Sequence, residues 1–103
     1  MEIILFYVPT PSQEDALRIG GEAIRQSLAA CTNIFPIQSA YTWQGAVRDD
    51  TEYILVLKTT VAGRNTLQQW LESVHPYEVP CIASWQVEVN PSYGQWVAEQ
   101  VKE

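Results

Sequence analysis

The order of apolar patterns along this 103-residue sequence predicts an α+β fold built around one sheet. Two observations support this prediction. Short runs of apolar, β-branched and aromatic residues indicate four strands, and apolar residues at helical spacing between these runs indicate helices. The predicted order is β-α-β-β-α-β with a further helix at the end. A chain of this length with 47% apolar residues is expected to form a single domain over residues 1–103.

The first strand is predicted over residues 2–8, an unbroken apolar and aromatic run closed by the two prolines of residues 9–11. Such a run is typical of a strand that is buried on both faces in the middle of a sheet. The first helix is predicted over residues 13–29, with Ser12 as its N-cap. The pair Gly20-Gly21 costs this helix about 1 kcal/mol per glycine, so we expect it to pack closely against the sheet.

A long β-hairpin is predicted over residues 31–60, because two groups of β-branched and aromatic residues flank a turn at Gln44-Gly45-Ala46. Pro36 lies inside the first arm and cannot donate a ladder hydrogen bond. This arm is therefore expected at a sheet edge or with a bulge. The second arm ends in a nearly continuous apolar run, so it is expected in the sheet interior.

The second helix is predicted to begin after a threonine cap at residue 59 or 60 and to end at His75-Pro76, because the residue before a proline avoids the helical region. The fourth strand is predicted over residues 81–89, where apolar and polar residues alternate. Asn90-Pro91 then provides a cap and a first helical residue for the last helix.

This order of elements is the split β-α-β arrangement of ferredoxin-like folds. The usual strand order of that fold, 4-1-3-2, puts the first and third strands in the centre, in agreement with their apolar runs. The second and fourth strands are then the edges, and they lack the lysines that commonly protect an edge. We therefore expect the edges to pair with copies of the same chain in a closed ring. The alternative is that the terminal helix covers one edge alone.

Composition and charge argue against several classes of partner. Six Lys and Arg against twelve Asp and Glu give a net charge of −6, which would repel the phosphate backbone of a nucleic acid. No apolar stretch approaches the roughly 20 residues of a transmembrane helix, and the first residues do not resemble a secretory leader, so no membrane association is expected. The two cysteines, Cys31 and Cys81, are too few for a disulfide scaffold, and a reducing cytoplasm is the expected compartment.

Metal binding has a chemical basis, whereas catalysis has none that the sequence reveals. His75 is the only histidine, and no third residue accompanies a Cys-His pair, so no enzymatic activity is expected. Thiolate and imidazole ligands suit copper(I) and zinc, and the chain offers Cys31, His75 and Cys81. The predicted fold puts the two cysteines at opposite edges, so a shared ion requires a subunit interface. The alternative is that both are structural thiols and that the histidine only ends a helix.

A polar cleft is the second candidate site. Glu52 and Lys58 lie six residues apart on the third strand, and this even spacing directs both side chains to one face. Trp43, Tyr77 and Glu78 are expected to rim a cleft between subunits. The alternatives are an exposed ion pair of Glu52 with Lys58 and simple aromatic packing at the rim.

Two long stretches of the sequence match motifs of a known family. One is Leu-Ala-Ala-Cys-Thr-Asn-Ile at 28–34 with Ser-Ala-Tyr-Thr-Trp-Gln-Gly at 39–45, and the other is His-Pro-Tyr-Glu-Val-Pro at 75–80. With Leu57-Lys58-Thr59 and Asn90-Pro91-Ser92-Tyr93, they resemble the CutA divalent-cation tolerance family over essentially the whole chain. The resemblance implies a ferredoxin-like protomer in an interlocked homotrimer, similar in build to PII signalling proteins.

The resemblance also implies functional positions. The family is associated with tolerance to copper and other divalent metals, copper binding is often attributed to it, and a signalling or protein-anchoring role has been suggested for some members. By position, Cys31 and His75 match its candidate metal residues, and Glu52 and Lys58 match polar positions of its intersubunit cleft.

Three residues depart from the family pattern. Gln44 and Cys81 stand where glutamates are common, and Ala46 stands where a lysine is common. The loss of two carboxylates weakens a site for a hard ion, and Cys81 would favour a softer ion if it faces the cleft.

Two functional hypotheses follow from the residues and the resemblance. In the first, a cytoplasmic homotrimer without catalytic activity binds or responds to divalent metal ions, with copper as the favoured ion and no obligatory cofactor. In the second, a PII-like trimer binds a small ligand or another protein, and metal binding is incidental. The sequence identifies no protein partner.

Overall fold

The predicted order of elements is confirmed by the computed structural model, which describes residues 1–102. The strands of this part of the chain are β1 (Glu2–Thr10), β2 (Cys31–Trp43), β3 (Ala46–Thr59) and β4 (Ala83–Glu88). The helices are α1 (Gln13–Arg25), α2 (Arg64–Val74) and α3 (Pro91–Gln100). Within these residues, no helix is long and apolar enough to cross a membrane.

The sheet has the predicted strand order, read from the other edge as β2-β3-β1-β4. All three strand pairs are antiparallel. The central strands β1 and β3 contribute side chains to both faces, which explains why their sequences are continuous apolar runs. β2 is an edge strand, and Pro36 sits in it opposite Tyr53 without a bulge, because its missing N–H can point away from the ladder.

Two helices pack against one face of the sheet, and a third covers the other face only at one end. α1 and α2 pack on the first face over a core that includes Phe6, Leu55 and Leu71. On the opposite face, α3 covers one end through a smaller cluster around Ile3 and Val97. The remainder of this second face carries half-exposed aromatic side chains, Phe35 and Trp85 among them.

The first helix is shorter than predicted, since α1 ends at Arg25 rather than near residue 29. Ser27 adopts a left-handed conformation with φ 59°, and the Leu28 N–H donates to the Ala23 carbonyl while the Ser27 N–H donates to the Ile24 carbonyl. This pair of bonds is a Schellman motif, which satisfies the last carbonyls of the helix. The sequence prediction was wrong here because a glycine, not a serine, usually marks that motif.

The predicted threonine cap of the second helix is also wrong. Thr59 is the last residue of β3, and its hydroxyl donates to the Leu28 carbonyl at 2.8 Å. Thr60 accepts a hydrogen bond from the Gly63 N–H at 3.0 Å, which forms a turn ahead of the helix. α2 therefore begins at Arg64, and its end at His75 agrees with the prediction.

The fourth strand begins two residues later than predicted, at Ala83, so Cys81 does not lie on an edge strand. The ladder between β1 and β4 ends at the pair Tyr7 and Ala83. Its continuation would place Cys81 opposite Pro9, which has no N–H to donate. Cys81 consequently belongs to the connection between α2 and β4, residues 75–82.

The hairpin of β2 and β3 extends far beyond the four-stranded sheet. Only residues 53–59 of β3 pair with β1, whereas β2 pairs with β3 as far as the turn at 44–45. Residues 37–52 thus form a two-stranded hairpin arm with no neighbouring strand on either side in the described part of the chain. The arm makes the chain elongated, at 46 × 23 × 21 Å, with a radius of gyration of 14.2 Å. A compact chain of this length has a radius of gyration of about 13 Å.

Candidate functional site

A cavity of about 630 Å³ lies between the hairpin arm and the α2–β4 connection. Its walls come from the end of β1, from both strands of the arm and from the connection. The lining residues are Pro9, Ser39, Ala40, Tyr41, Trp43, Arg48, Glu52, Pro76, Tyr77, Glu78, Val79 and Cys81.

The alternation of the two arm strands determines which side chains reach the cavity. Arg48 and Glu52 lie four residues apart on β3 and share a face of the arm, because successive side chains of a strand point to opposite faces. Tyr41 is paired with Arg48 and Trp43 lies two residues further on, so both belong to the same face. One face of the arm thus presents two aromatic rings, a guanidinium and a carboxylate.

His75 holds the α2–β4 connection against the sheet. Its Nε2 lies 2.8 Å from the Pro9 carbonyl oxygen, and its Nδ1 accepts a hydrogen bond from the Tyr77 N–H at 3.1 Å. Because a carbonyl can only accept, Nε2 carries the proton and the ring is neutral in this arrangement. The side chain is buried, and its ring packs against that of Tyr77 with centroids 4.9 Å apart.

Tyr77 closes the cavity against the arm through a hydrogen bond to Glu52. The phenol donates to Glu52 Oε2 at 2.6 Å, and the Glu52 side chain is buried. Burial raises the pKa of Tyr77 well above its usual value, and the hydrogen bond and the negative charge of Glu52 raise it further. Tyr77 therefore stays a neutral phenol that donates to Glu52 over the physiological pH range.

A second tyrosine on the arm makes a similar contact. Tyr41 donates its hydroxyl hydrogen bond to the carboxylate of Asp50, and this bond raises the pKa of Tyr41 above its usual value. Arg48 lies beside them on the same face, and its side chain has no hydrogen bond or ion pair with any residue in the range 1–102. The arm therefore presents a free guanidinium beside two carboxylates that tyrosines already engage.

Most of the predicted cleft residues come together, and one does not. Trp43, Glu52, Tyr77 and Glu78 all line the cavity. Lys58 lies about 20 Å from Glu52 along β3, given a rise of 3.4 Å per residue. Its Nζ instead lies 5.5 Å from the centre of the Tyr93 ring, at the end of the sheet that α3 covers.

The three predicted metal residues do not share a site within one chain. Cys81 is exposed and lines the cavity, whereas Cys31 pairs with Lys58 at the far end of β2. Cys31 is about 27 Å from Ser39, the nearest β2 residue of the cavity wall, along the strand. Both ring nitrogens of His75 are engaged, as described above. Across residues 1–102 there is no group of three His, Cys, Asp or Glu side chains that could hold a metal ion.

Among the lining side chains that sequence reasoning missed, Tyr41 and Arg48 matter most for the chemistry of the cavity. The spacing of Arg48 from Glu52 is even, as is that of Tyr41 from Trp43, so strand alternation alone groups each pair on one face. The pairing of β2 with β3 then makes Arg48 the partner of Tyr41. A register for the hairpin, counted from the turn at Gly45, would have revealed this cluster.

The cavity can bind a small polar molecule more readily than a lone cation. It offers aromatic faces, carboxylate acceptors and one unpaired guanidinium within a volume typical of small-molecule sites. A cation would find the Cys81 thiol and the carboxylates of Glu52 and Glu78 in the same wall, but not as a preformed set of three ligands among the described residues.

Comparison with known proteins shows which family this chain resembles in sequence and fold. The sequence profile of the CutA1 divalent ion tolerance protein family matches residues 4–100. The chain is 39% identical over 100 residues to the divalent-cation tolerance protein CutA of Thermotoga maritima, covering 96% of this chain and 99% of that protein. Some eukaryotic relatives are longer, and the chain spans 66% of a CutA homolog from Xenopus laevis.

Solved structures agree in fold. The crystal structure of CutA1 from Pyrococcus horikoshii superposes with a TM-score of 0.94 at 30% identity, covering 97% of this chain and 99% of that chain. The structure described as the periplasmic divalent cation tolerance protein CutA of Archaeoglobus fulgidus has a TM-score of 0.90 at 32% identity, covering 99% of this chain and all (100%) of that chain.

Proposed function

This chain belongs to the CutA1 divalent ion tolerance protein family, and from this premise we propose that it is a homotrimeric protein of divalent-cation tolerance that binds copper in the cytoplasm. The observation that carries the proposal is the match of family and fold over nearly the whole chain. In this role the protein binds or responds to the cation and catalyses no reaction.

The hairpin arm supports a homotrimer. A two-stranded hairpin with no further partner is marginally stable in water. Exposed apolar side chains nevertheless lie in and beside this arm, Val47 within it and Phe35 just before it. Pairing of the unprotected edges in a closed ring would cover them and leave no free edge. Light scattering should give a mass of about 35 kDa, three times the 11.7 kDa of one chain. A mass of one chain would contradict the proposed trimer.

The cysteines support copper as the ion. Thiolates favour copper(I), and Cys81 is exposed in the cavity wall while Cys31 is partly exposed at the start of an edge strand. Within one chain they are far apart, so the proposed site lies where β2 of one subunit meets the region before β4 of its neighbour. His75 can join such a site only if its ring gives up the hydrogen bond to Pro9 or to Tyr77.

The test is a calorimetric titration of the trimer with copper(I) and with copper(II). Saturable binding at a whole-number ratio per trimer is expected, and it should be lost in the Cys31→Ser and Cys81→Ser variants. His75→Ala tests the imidazole separately. Glu99→Gln removes an exposed carboxylate on α3 and is the control for cation binding by surface carboxylates. Weak binding that the cysteine variants retain would mean that surface carboxylates collect cations, and the copper site would be abandoned.

The cytoplasmic location of the protein is tested by a separate measurement. Both cysteines are free, which fits a reducing cytoplasm. The relative from Archaeoglobus fulgidus is described as periplasmic, however, so the family name does not decide the matter. Cell fractionation with a specific antibody should recover the protein with cytoplasmic markers, and recovery with periplasmic markers would overturn this part of the proposal.

The cavity favours a second candidate function, the recognition of a small ligand by a PII-like trimer in which metal binding is incidental. Its walls are fixed by His75 and Tyr77 before any ligand arrives, which lowers the entropy cost of binding. This function predicts that a ligand alters the amide signals of the α2–β4 connection without any metal. Unchanged amide spectra with every ligand class would count against it.

A further inference from the structure

We infer that the cavity binds a small zwitterion, an α-amino acid or close analogue with an aromatic side chain. This ligand class rests on the second candidate function and specifies its ligand. It does not depend on copper binding. Three features of the cavity point to it: an unpaired cationic group, a carboxylate with one free oxygen, and aromatic side chains in the same walls.

Arg48 is suited to the carboxylate of such a ligand. It is the one Lys or Arg side chain in the cavity wall formed by the described residues. Asp50, two residues along the same strand, is already engaged by the Tyr41 hydroxyl, and no residue of the described chain bonds the guanidinium. A guanidinium with free donors binds a planar carboxylate through two parallel hydrogen bonds.

Glu52 is suited to the ammonium group. Its Oε2 accepts the bond from Tyr77, and its Oε1 has no partner in the described chain. No buried side-chain oxygen or nitrogen within residues 1–102 lacks a hydrogen-bond partner, so Oε1 faces accessible space. An ammonium at this oxygen would form a charge-assisted hydrogen bond, and the exposed carboxylate of Glu78 in the same wall adds to the attraction.

The charge and the walls distinguish this ligand from others. Arg48 contributes one positive charge and Glu52 and Glu78 contribute two negative charges, so a polyanion such as a nucleotide would be disfavoured. The rings of Tyr41, Trp43 and Tyr77 offer surfaces on which an aromatic side chain can pack. A volume of about 630 Å³ is ample for a molecule of this size.

The experiment is a titration of the full-length protein, in its native oligomeric state and without metal, followed by amide NMR. The probes are L-phenylalanine, phenethylamine, which lacks the carboxylate, and 3-phenylpropionate, which lacks the amine. L-Phenylalanine should shift amide signals of the α2–β4 connection and the arm. It should bind roughly tenfold more tightly than either truncated probe, because each loses one charge-assisted contact.

Two variants assign the ends of the ligand. Arg48→Gln should weaken L-phenylalanine roughly tenfold and leave phenethylamine unchanged, and Glu52→Gln should weaken L-phenylalanine and leave 3-phenylpropionate unchanged. Arg25→Gln on α1 and Asp49→Asn, which lies outside the cavity, are the matched controls for the loss of each charge. Since Arg48 is exposed and unpaired in the described chain, its variant is expected to fold even if Glu52→Gln is destabilised.

The possible results distinguish failure of the proposed ligand class from failure of the small-ligand function. Equal affinity for all three probes, or equal effects of the variants and their controls, would contradict a zwitterionic ligand. Binding of a small ligand by the cavity would still stand. No amide shifts in the arm or the connection with any probe would overturn the proposed ligand class. The copper titration would be unaffected by either result.

Discussion

At the scale of single residues, two side chains hold the irregular α2–β4 connection in place. His75 joins the connection to β1 through the Pro9 carbonyl, and Tyr77 joins it to β3 through Glu52. Neither bond belongs to a helix or a strand ladder. The shape of the cavity therefore depends on side-chain hydrogen bonds, and single substitutions should alter it.

The Tyr77→Phe variant tests this dependence. Removal of the hydroxyl leaves the buried Glu52 carboxylate without its donor, so the free energy of unfolding should fall by about 1–3 kcal/mol in urea titrations. The raised pKa of Tyr77 means that the folded chain keeps the phenol proton. The stabilisation is therefore present below the usual tyrosine value of 10.0 and is lost as the pH rises through the higher folded value.

The control for Tyr77 is Tyr93→Phe, since the Tyr93 hydroxyl has no hydrogen-bond partner in residues 1–102. Its effect should stay within about 0.5 kcal/mol. In an absorbance titration, the tyrosine missing from the Tyr77→Phe variant should be one that ionises last. Equal loss of stability in the two variants would contradict the proposed bond.

Asp15 gives a prediction at low pH. Hydrogen bonds from Arg18 at 2.7 Å and from the Ser12 hydroxyl at 2.9 Å hold the pKa of Asp15 below its usual value near 3.8. The stabilisation is thus complete above 3.8 and is lost as the pH falls through the lower folded value. Asp15→Asn should cost about 1 kcal/mol at neutral pH and nothing in strong acid, by urea unfolding at both. Glu14→Gln is the control, and a cost for Asp15→Asn that does not vary with pH would refute the assignment.

At the scale of elements, the adjacent glycines of α1 have different roles. A Cβ on Gly20 would lie 2.9 Å from Leu55 Cδ1 and 3.3 Å from Thr32 Cγ2, so any side chain there would force these two packed side chains to shift. A Cβ on Gly21 would meet only the flexible guanidinium of Arg25 at 3.4 Å. The sequence prediction of close packing is therefore correct for Gly20 and wrong for Gly21.

Alanine at these two positions should have opposite effects. Gly20→Ala should lower the free energy of unfolding by about 1–3 kcal/mol, because the added methyl group forces the core to shift. Gly21→Ala should raise it by about 0.5–1 kcal/mol, because alanine favours the helix. Each variant is the control for the other in denaturant titrations, and a shift of the same sign in both would contradict the packing.

The turn of the hairpin arm is the other element determined by local conformation. Gln44 and Gly45 have φ values of 52° and 80°, the pattern of a type I′ turn, whose twist matches that of the strands it joins. The glycine suits this conformation, whereas glutamine at the first position is strained. The turn itself is therefore not optimal, and the pairing of β2 with β3 stabilises the arm.

At the scale of the whole molecule, the sheet and the arm leave long stretches of strand edge without a partner in the described chain. The outer edge of β2, the free side of residues 46–52 and the open part of the second face all lack partners within the described chain. Assembly through them, as proposed above, would make folding and association one equilibrium.

Unfolding should accordingly depend on protein concentration. The thermal midpoint should rise as the concentration is raised, and a folded monomer should be scarce even at nanomolar concentration. Phe35→Lys puts a charge on the edge strand and should lower both the mass in light scattering and the midpoint. Gln69→Lys, on an exposed site of α2, should change neither. A midpoint independent of concentration would show that the folded chain does not need its copies.

The sequence alone determined the element types, their order, the central places of β1 and β3 and the edge place of β2. These features depend on residue periodicity, on the chemistry of proline and on the few topologies that connect such elements, all of which are local or nearly so. The family motifs could likewise be recognised from residues close together in the chain. The predicted element ends were wrong near Ser27, Thr60 and Cys81. These ends depend on turns and on where a strand ladder stops, and neither leaves a repeating pattern in the sequence.

Only the tertiary structure decided which side chains meet. Arg48 and Glu52 on the arm face Tyr77 and Cys81 because the irregular α2–β4 connection crosses the sheet beside them, and this path depends on the hydrogen bonds of His75. Lys58 and Cys31, which the sequence grouped with these residues, lie at the other end of the same strands. Strand alternation specifies a face but not a position along it, so the separation of the two ends could come only from packing in three dimensions.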